Sequence, residues 1–150
     1  MNFQRIELKN TTQIRVRYAD TDKMGFVYNG VYLTFFEVGR TELMRSFGLP
    51  YIEFEQNGYF LPLIESNVKY ISPAHYDDLL DIETNFIPEY KPIIKFDYRI
   101  LRGNDIISNG YTIHTFINSQ THKPVKPPSF FWNKLNETYQ YIANQTHKNW

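Results

Sequence analysis

The chain contains no cysteine, and this absence excludes several kinds of chemistry. Disulfide bonds, thiolate nucleophiles and zinc sites built on cysteine ligands all require that residue. The four histidines lack a spacing such as His-x-x-x-His that would hold a metal ion. No Gly-x-Ser-x-Gly, Gly-x-Gly-x-x-Gly or Walker motif is present, which disfavours a serine hydrolase elbow and nucleotide binding. The sequence therefore predicts no metal site and no cofactor.

Long apolar runs and clusters of one charge are also missing. The 16 Lys and Arg residues balance 16 Asp and Glu residues, without the basic stripe of a nucleic-acid binder. No stretch approaches the roughly 18 consecutive apolar residues of a membrane span. Residues 1–12 are polar and do not resemble a secretory signal. We therefore expect no nucleic-acid partner, no membrane span and a cytoplasmic location.

Aromatic residues are plentiful, with twelve Tyr and twelve Phe making most of an aromatic share of 17%. Large rings suit a thick core, a subunit interface or an apolar pocket, so this excess does not choose between them. The length of 150 residues predicts one domain over 1–150.

The hydrophobic pattern predicts strands around one long helix. Residues 13–18 alternate as a half-buried strand, and a buried helix is expected over about 30–47, with Asn29 as its N-cap. Gly39 inside that helix suggests that a backbone or a ligand passes close to it. One or two helical turns are expected over 50–56, closed by Gly58. Further strands are expected over 63–71, 79–87, 93–101 and 106–118, and a last helix after Ser129 turns Phe131, Leu135, Thr138 and Ile142 inward.

This order of elements is an α+β architecture, an antiparallel sheet of about five strands wrapped around a long buried helix, with a C-terminal helix. Such a sheet covers its helix on one side only. Because its other face and its edges often pair with a second copy, we expect a homodimer or a tetramer built as a dimer of dimers.

The stretch 17–30 carries the chemistry. It places two carboxylates, Asp20 and Asp22, a glycine turn at Gly25 and an aromatic pair between the first strand and the start of the long helix. A helix N-terminus offers unpaired N–H groups and a positive dipole end to a developing oxyanion. A carboxylate opposite it can attack a carbonyl or activate a water molecule. Asp residues before helices also act as caps or turn formers, so physical chemistry alone leaves both roles open.

This stretch resembles the signature of the hydroxybenzoyl-CoA thioesterase-like family, which includes the Tol–Pal-associated acyl-CoA thioesterases. The segments 58–63 and 70–78 also resemble parts of that family, so the likeness covers about residues 13–118. The matching positions of the signature are Tyr18, Asp20, Thr21, Asp22, Gly25, Val27, Tyr28, Tyr32, Glu37, Arg40, Thr41 and Glu42.

The resemblance implies a hotdog fold and hydrolysis of the thioester of an acyl-CoA or an acyl-carrier protein, coenzyme A being part of the substrate. It makes Asp22 the catalytic nucleophile or general base. The backbone N–H at Asn29 would polarise the thioester carbonyl. Many relatives hold His or Tyr where this chain has Asn29, so only a backbone role carries over directly.

The remaining site residues follow from the same resemblance. Tyr28 either lines the acyl pocket or is a plain core aromatic, and Gly30 is placed with it among the substrate-binding residues. Lys91 is the candidate for the coenzyme A phosphates, or else an ordinary solvated lysine. Asp20 is a turn or hydrogen-bonding residue. Three positions apart on the helix, Glu37 and Arg40 are expected to form an ion pair that supports the site or an interface.

Two other functions remain open. A non-catalytic acyl-CoA or acyl-carrier binding module would share the fold, but would normally carry an attached DNA-binding segment. A hydratase or dehydratase of the same fold would need a histidine beside the carboxylate, and the sequence places no histidine in or near the Asp22 loop.

Overall fold

The computed structural model describes residues 7–89 and 91–148, from residue 139 onward by backbone alone. A 3-10 turn, Tyr18–Asp20, follows the first strand. The helices are α1 (Val31–Ser46), α2 (Tyr51–Gln56) and α3 (Ser129–Lys148). The strands are β1 (Leu8–Arg15), β2 (Tyr59–Phe60), β3 (Leu63–Tyr70), β4 (Leu79–Phe86), β5 (Ile93–Arg102), β6 (Asp105–Thr115) and β7 (Ile117–Asn118).

Five strands form one antiparallel sheet in the order β1-β4-β5-β6-β3, and β2 pairs with β7 separately. Along β4 and β5 every second side chain is buried, as the alternating pattern predicts for a sheet with one covered face. Helix α1 covers that face and packs chiefly on β1 and β4. The predicted α+β architecture, with its C-terminal helix, is confirmed.

Gly39 is where α1 approaches the sheet most closely. A Cβ atom at this position would overlap Thr84 Oγ1 and lie only 2.7 Å from Ile82 Cγ2, both on β4. One turn earlier, the ring of Phe36 stacks on that of Tyr98 on β5, with centroids 4.3 Å apart. The expected close approach at Gly39 is confirmed, and the group that approaches is the surface of β4.

A cluster of phenylalanines joins α2, α3 and the strand ends. Phe54 of α2 is fully buried, with its ring 5.2 Å from Phe130 and 5.8 Å from Phe131. Leu135 is buried one turn further along α3, so the inward positions of Phe131 and Leu135 are confirmed. Thr138 is half-buried, and the side chain of Ile142 lies outside the described residues. Many of the aromatic residues therefore lie in the hydrophobic core.

The first strand begins and ends earlier than the pattern predicts. It starts at Leu8 and stops at Arg15, whereas Tyr18 lies in the 3-10 turn and is exposed. The carboxylate of Asp20 accepts a hydrogen bond from the backbone N–H of Arg17, and this local bond ends the extended conformation. The inward-facing Asn10 and Thr12 are polar, so hydrophobic alternation did not reveal the first half of the strand.

The N-cap expected for α1 is wrong. Gly30 is the N-cap, and no side chain caps the helix there, so Asn29 lies one residue outside it. On the side that the sheet does not cover, the apolar Leu33 is exposed beside the polar Thr34 and Glu37. The apolar composition of the helix therefore exceeds what packing within one chain requires.

The strand expected over 106–118 is broken at Phe116. The N–H of Thr115 bonds to the carbonyl of Pro62, and Phe116 enters the phenylalanine cluster fully buried. The two residues after it pair with β2 instead of β3. By contrast, α2 matches the expected turns, and Gly58 after it has φ +85°.

Candidate active site

Residues 22–26 form a tight loop between the 3-10 turn and α1. The N–H of Asp22 donates to the carbonyl of Phe26 at 2.9 Å, and the N–H of Gly25 donates to the carbonyl of Asp22 at 3.0 Å. Gly25 has φ +80°, a left-handed conformation that favours glycine. A bridge between Thr21 and Val27 closes the base of the loop. The position of Asp22 is therefore set by backbone geometry.

The two carboxylate oxygens of Asp22 are held differently. Oδ1 accepts hydrogen bonds from the backbone N–H of Met24 at 2.9 Å and of Phe26 at 3.3 Å. Oδ2 accepts none from the part of the chain that the structure describes. The side chain is half-buried. One oxygen thus orients the carboxylate and the other is available to a substrate or a water molecule.

Asp20, two residues earlier, has both oxygens engaged. It is buried and accepts from the N–H, Nε and Nη2 of Arg17, at 2.9, 3.4 and 3.0 Å. The hydrogen bond and the charge of Asp20 raise the pKa of the Arg17 guanidinium. The backbone carbonyl of Asp20 accepts a hydrogen bond from the N–H of Tyr28, which connects the 3-10 turn to the segment before α1. This geometry fits an anchor for the loop.

The start of α1 has two N–H groups without an acceptor. The carbonyl of Tyr28 accepts from the N–H of Val31 at 3.0 Å, and the carbonyl of Asn29 accepts from the hydroxyl of Tyr70 at 2.9 Å. Neither the N–H of Asn29 nor that of Gly30 donates to any residue within 7–89 or 91–148. Such groups at a helix start are suited to hold an anionic oxygen.

Asp22 and Asn29 line the same open cavity, of about 370 Å³. The α1 residue Tyr32 and the segment at the end of β3 complete its walls. The lining residues are Asp22, Met24, Phe26, Val27, Asn29, Tyr32, Tyr70, Ile71, Ser72 and Pro73. The carboxylate residue Asp22, the helix-start residue Asn29 and largely apolar walls therefore border one space.

The segment 72–78, of which Ser72 and Pro73 line the cavity, is held by Arg102 of β5. Nη1 of Arg102 donates to Oδ2 of Asp78 at 2.8 Å and to the carbonyl of Pro73 at 3.3 Å. Burial acts to raise the pKa of Asp78, but the His75 N–H and the Arg102 guanidinium outweigh it and leave that pKa lowered. The pKa of Tyr32, on the facing wall, is raised by its own burial.

A second depression, of about 480 Å³, lies on the outer face of the sheet. Its walls are mainly polar and charged side chains of β1, β4 and β5, among them Glu83 and Arg99, which pair at 2.8 Å. None of the predicted site residues lines it.

Tyr70 was not among the predicted site residues, and Tyr32 was noted only as part of the signature. Both lie on the cavity wall, with their rings edge-to-face at 5.2 Å. Both also fall in segments that resemble the family, so the resemblance could have pointed to them as site residues. The sequence could not reveal that the Tyr70 hydroxyl bonds to Asn29, 41 residues away.

Three predicted substrate-binding residues lie outside the cavity of their own chain. The Tyr28 side chain is 55% exposed, so it is not a core aromatic, and it does not line the cavity of its own chain. Gly30 borders the Tyr28 ring and does not line that cavity either. Lys91 pairs with Glu89 at 2.6 Å beside the start of β5.

Lys91 is also far from the cavity. The start of β5 pairs with residue 115 of β6, whereas Tyr70 pairs with residue 108. Those seven positions along β6 correspond to roughly 23 Å at about 3.3 Å per residue. Within one chain, Lys91 and Asp22 therefore lie towards opposite ends of the sheet.

Glu37 and Arg40 form no ion pair in the described part of the chain. Glu37 faces outward, and the Arg40 guanidinium reaches the buried hydroxyl of Tyr98. Burial raises the pKa of Tyr98, while Arg40 works against that rise. The spacing along the helix predicts that the two charges lie near one another, but Arg40 interacts instead with the Tyr98 hydroxyl of the sheet.

His114 belongs to the same buried polar group. Its Nε2 lies 2.9 Å from Thr112 Oγ1, which is 2.6 Å from the Tyr98 hydroxyl, and its Nδ1 lies 3.3 Å from the carbonyl of Leu61. Burial, together with the charge of Arg40, lowers the pKa of His114 to about 4. This histidine is a neutral part of the core and does not line the cavity.

One histidine does approach the Asp22 loop, contrary to expectation. His75 forms a bridge with Phe26, and the two rings are edge-to-face at 5.3 Å. It still does not line the cavity that contains Asp22. Across the described ranges, no group of three His, Cys, Asp or Glu residues could hold a metal ion, and no helix could span a membrane.

Known proteins are similar to this chain in sequence and in fold. A model of the thioesterase-like superfamily matches residues 16–135. YneP of Bacillus subtilis (strain 168) is 32% identical over 116 residues, 76% of this chain and 83% of that protein. The acyl-CoA thioesterase YbgC of Haemophilus influenzae is 31% identical over 118 residues, 77% and 85% of the two chains. A solved DHNA-CoA thioesterase of Staphylococcus aureus superposes with a TM-score of 0.79 at 28% identity, covering 92% of this chain and 95% of that one.

The long helix on a five-stranded antiparallel sheet, with a carboxylate loop at the helix start, defines this structure as a hotdog fold. Within that fold the chain belongs to the thioesterase-like superfamily, which the sequence resemblance implied.

Proposed function

We propose that this protein hydrolyses acyl-CoA thioesters, with Asp22 as the catalytic carboxylate and the N–H of Asn29 as an oxyanion donor. The chain is a thioester hydrolase by its family and its relatives. The observation that carries the finer proposal is that two residues line one cavity: Asp22, whose Oδ2 accepts no hydrogen bond from the described residues, and Asn29, whose N–H has no acceptor among them.

The chemistry starts with the thioester carbonyl over the start of α1. The N–H of Asn29 stabilises the negative oxygen that forms when the carbonyl carbon becomes tetrahedral. In one route, Oδ2 of Asp22 attacks that carbon, the C–S bond breaks, and coenzyme A leaves as a thiolate. Water then hydrolyses the mixed anhydride. In the other route, Asp22 removes a proton from a water molecule that attacks directly.

These two routes differ in where a solvent oxygen goes. A single turnover in H₂¹⁸O places the label in the Asp22 carboxylate only if the anhydride forms and water attacks its aspartyl carbonyl, whereas attack at the acyl carbonyl labels only the product. A peptide containing Asp22 that gains one ¹⁸O atom would establish the covalent route.

A second copy of the chain is part of the proposal. β3 is an edge strand, paired with β6 on one side and, among the described residues, with no strand on the other. Most of its side chains are exposed, including the apolar Leu63 and Ile64. An unprotected apolar edge is a template for pairing with another strand. Because Tyr70 at the end of β3 lines the cavity, a copy paired there would border the acyl site.

The other candidate functions have less support. A non-catalytic acyl-CoA module would have no use for a carboxylate with one oriented and one free oxygen beside an unpaired helix start. A hydratase would need a histidine in the cavity, and His75 is outside it. Release of a free thiol from an acyl-CoA, measured with a thiol reagent, separates hydrolysis from both alternatives.

The decisive substitution is Asp22→Asn. The amide keeps the shape of the side chain but cannot act as a nucleophile or a base, so kcat should fall by several orders of magnitude while folding is retained. Asp77→Asn is a matched control, since Asp77 is an exposed loop carboxylate with φ 69°, a conformation that Asn tolerates. Retention of more than about a tenth of the wild-type kcat in Asp22→Asn would refute this assignment.

A further inference from the structure

Tyr70 is the only residue of the cavity lining whose side chain bonds to the backbone at the helix start, among the residues described. Its hydroxyl donates to the carbonyl of Asn29 at 2.9 Å. Its ring packs edge-to-face on Tyr32, with a centroid distance of 5.2 Å and an interplanar angle of 87°. Tyr70 therefore links the end of β3 with the backbone that carries the proposed oxyanion donor.

Two carbonyl hydrogen bonds hold the backbone on either side of Asn29. The carbonyl of Tyr28 accepts from the N–H of Val31, within the first turn of α1. The carbonyl of Asn29 accepts from Tyr70, on a different element. Each peptide group is planar, so anchoring its carbonyl restricts rotation of the whole group. The Val31 bond therefore holds the peptide group that carries the N–H of Asn29, and the Tyr70 bond holds the next group, which carries the N–H of Gly30. Both groups meet at the Cα of Asn29, so the Tyr70 bond restricts movement of that Cα and, through it, of the Asn29 N–H.

No capping side chain holds the backbone around Asn29 in place of these two hydrogen bonds. Gly30 is the N-cap and provides no side-chain hydrogen bond to the helix start. The segment around Asn29 is exposed, so packing does not hold it. An oxyanion donor is effective only when its direction is set before the reaction, because reorientation during the reaction costs energy.

We infer that Tyr70 is a positioning residue that holds the backbone of Asn29 from its carbonyl side and so keeps the N–H of Asn29 in place for the oxyanion. This inference rests on the proposed function, and it adds a residue that acts through the backbone without contacting the substrate carbonyl. Its hydroxyl is the functional group, while its ring serves packing against Tyr32.

The first test is Tyr70→Phe, which removes the hydroxyl and keeps the ring. We expect kcat to fall roughly 10- to 100-fold, less than the about 10²–10³-fold cost of deleting a donor outright. KM should change little, because substrate binding does not depend on the hydroxyl. Tyr51→Phe on α2 is the matched control and should leave kcat unchanged, since Tyr51 does not line the cavity. A wild-type kcat in Tyr70→Phe would overturn the inference.

The second test does not depend on turnover. In Asp22→Asn, a bound benzoyl-CoA should show a thioester carbonyl stretch shifted to lower frequency, because the oriented N–H polarises the carbonyl. Adding Tyr70→Phe should return the Raman band towards its position in free benzoyl-CoA. An equal shift with and without the hydroxyl would overturn the inference and leave the proposed hydrolysis intact. Conversely, hydrolysis of benzoyl-CoA by Asp22→Asn would refute the role of Asp22 and leave the Tyr70 kcat comparison unaffected.

Discussion

At the scale of single residues, the backbone and the side chain of Asn29 have separate roles. Its N–H has no acceptor among the described residues and its carbonyl is held by Tyr70, while the side chain makes no cap. A backbone donor does not depend on which side chain stands at this position.

Asn29→Ala should therefore change kcat little. Stability should change by no more than about 0.5 kcal/mol, as for an ordinary surface substitution, because Gly30 is the N-cap and no cap is lost. Steady-state kinetics and urea unfolding measure the two quantities. A loss of kcat as large as that of Asp22→Asn, in folded protein, would mean that the Asn29 side chain acts directly.

Gly25 determines the conformation of the Asp22 loop. A Cβ atom here would meet nothing within 4 Å, so Gly25→Ala tests the backbone alone, at φ +80°. The left-handed conformation should cost about 1–2 kcal/mol of stability. Relief of that strain would shift the N–H groups that orient Asp22, and a displacement of about 1 Å can cost 10²-fold in rate.

Gly58→Ala is the matched control for Gly25→Ala. Gly58 has φ +85°, and its nearest neighbour to an added Cβ is at 3.9 Å, but it lies after α2, away from the cavity. We expect a similar loss of stability with kcat preserved. If the two variants lost the same fraction of kcat, strain in general would be responsible and the loop would have no special role.

His114 should make stability depend on pH. Its pKa is lowered to about 4 in the folded protein, below the unfolded value of 6.5. Between those values the unfolded chain binds more protons, so stability rises with pH across this window. The contribution is complete above about pH 6.5, is lost as the pH falls towards 4, and is on the order of 3 kcal/mol.

Urea unfolding from pH 4 to 7 measures this contribution. His114→Gln should flatten the rise, whereas His122→Gln, at an exposed position in a turn, should keep it. An unchanged slope in His114→Gln would show that His114 is not the titrating group.

At the scale of elements, the packing of α1 on β4 depends on the absence of a side chain at Gly39. Phe36 and Leu43, on the same face of α1, are buried and fill the space on either side. The small residue therefore sets how closely the helix lies on the sheet, and so where its N-terminus reaches the cavity.

Gly39→Ala should destabilise the protein despite the higher helix propensity of alanine. The added methyl group would overlap Thr84 Oγ1, and overpacking of this kind costs about 1–3 kcal/mol. Thr84→Ala in the same chain should recover part of the loss, since the Thr84 hydroxyl has no partner in the described structure. Thr34→Ala, on the exposed face of α1, is the control and should be neutral or slightly stabilising. Additive effects of Gly39→Ala and Thr84→Ala would contradict this account.

At the scale of the whole molecule, a single chain leaves apolar side chains exposed to solvent. Ile64 on the edge strand β3 is 56% exposed, and Leu33 of α1 is exposed on the side away from the sheet. A second copy paired along β3 would cover part of this surface and complete the cavity wall near Tyr70.

We therefore expect a homodimer, or a dimer of dimers, in light scattering at micromolar concentration. Ile64→Lys places a charge on the pairing edge and should give monomers with reduced activity. Ile93→Lys is the control, because Ile93 is also exposed but lies on β5, between two other strands. A fully active monomer of the wild-type chain would refute both the dimer and its part in the acyl site.

The sequence by itself determined the class of fold and the loop that carries Asp22. Periodicity and glycine positions depend on residues close in the chain, and the motif around Asp22 is continuous. Only the tertiary structure decided which groups share the cavity. Tyr70 reaches Asn29 across 41 positions, Arg40 turns to Tyr98 instead of Glu37, and Lys91 lies at the other end of the sheet. These outcomes depend on strand register and on how closely α1 approaches β4, and local pattern in the sequence determines neither.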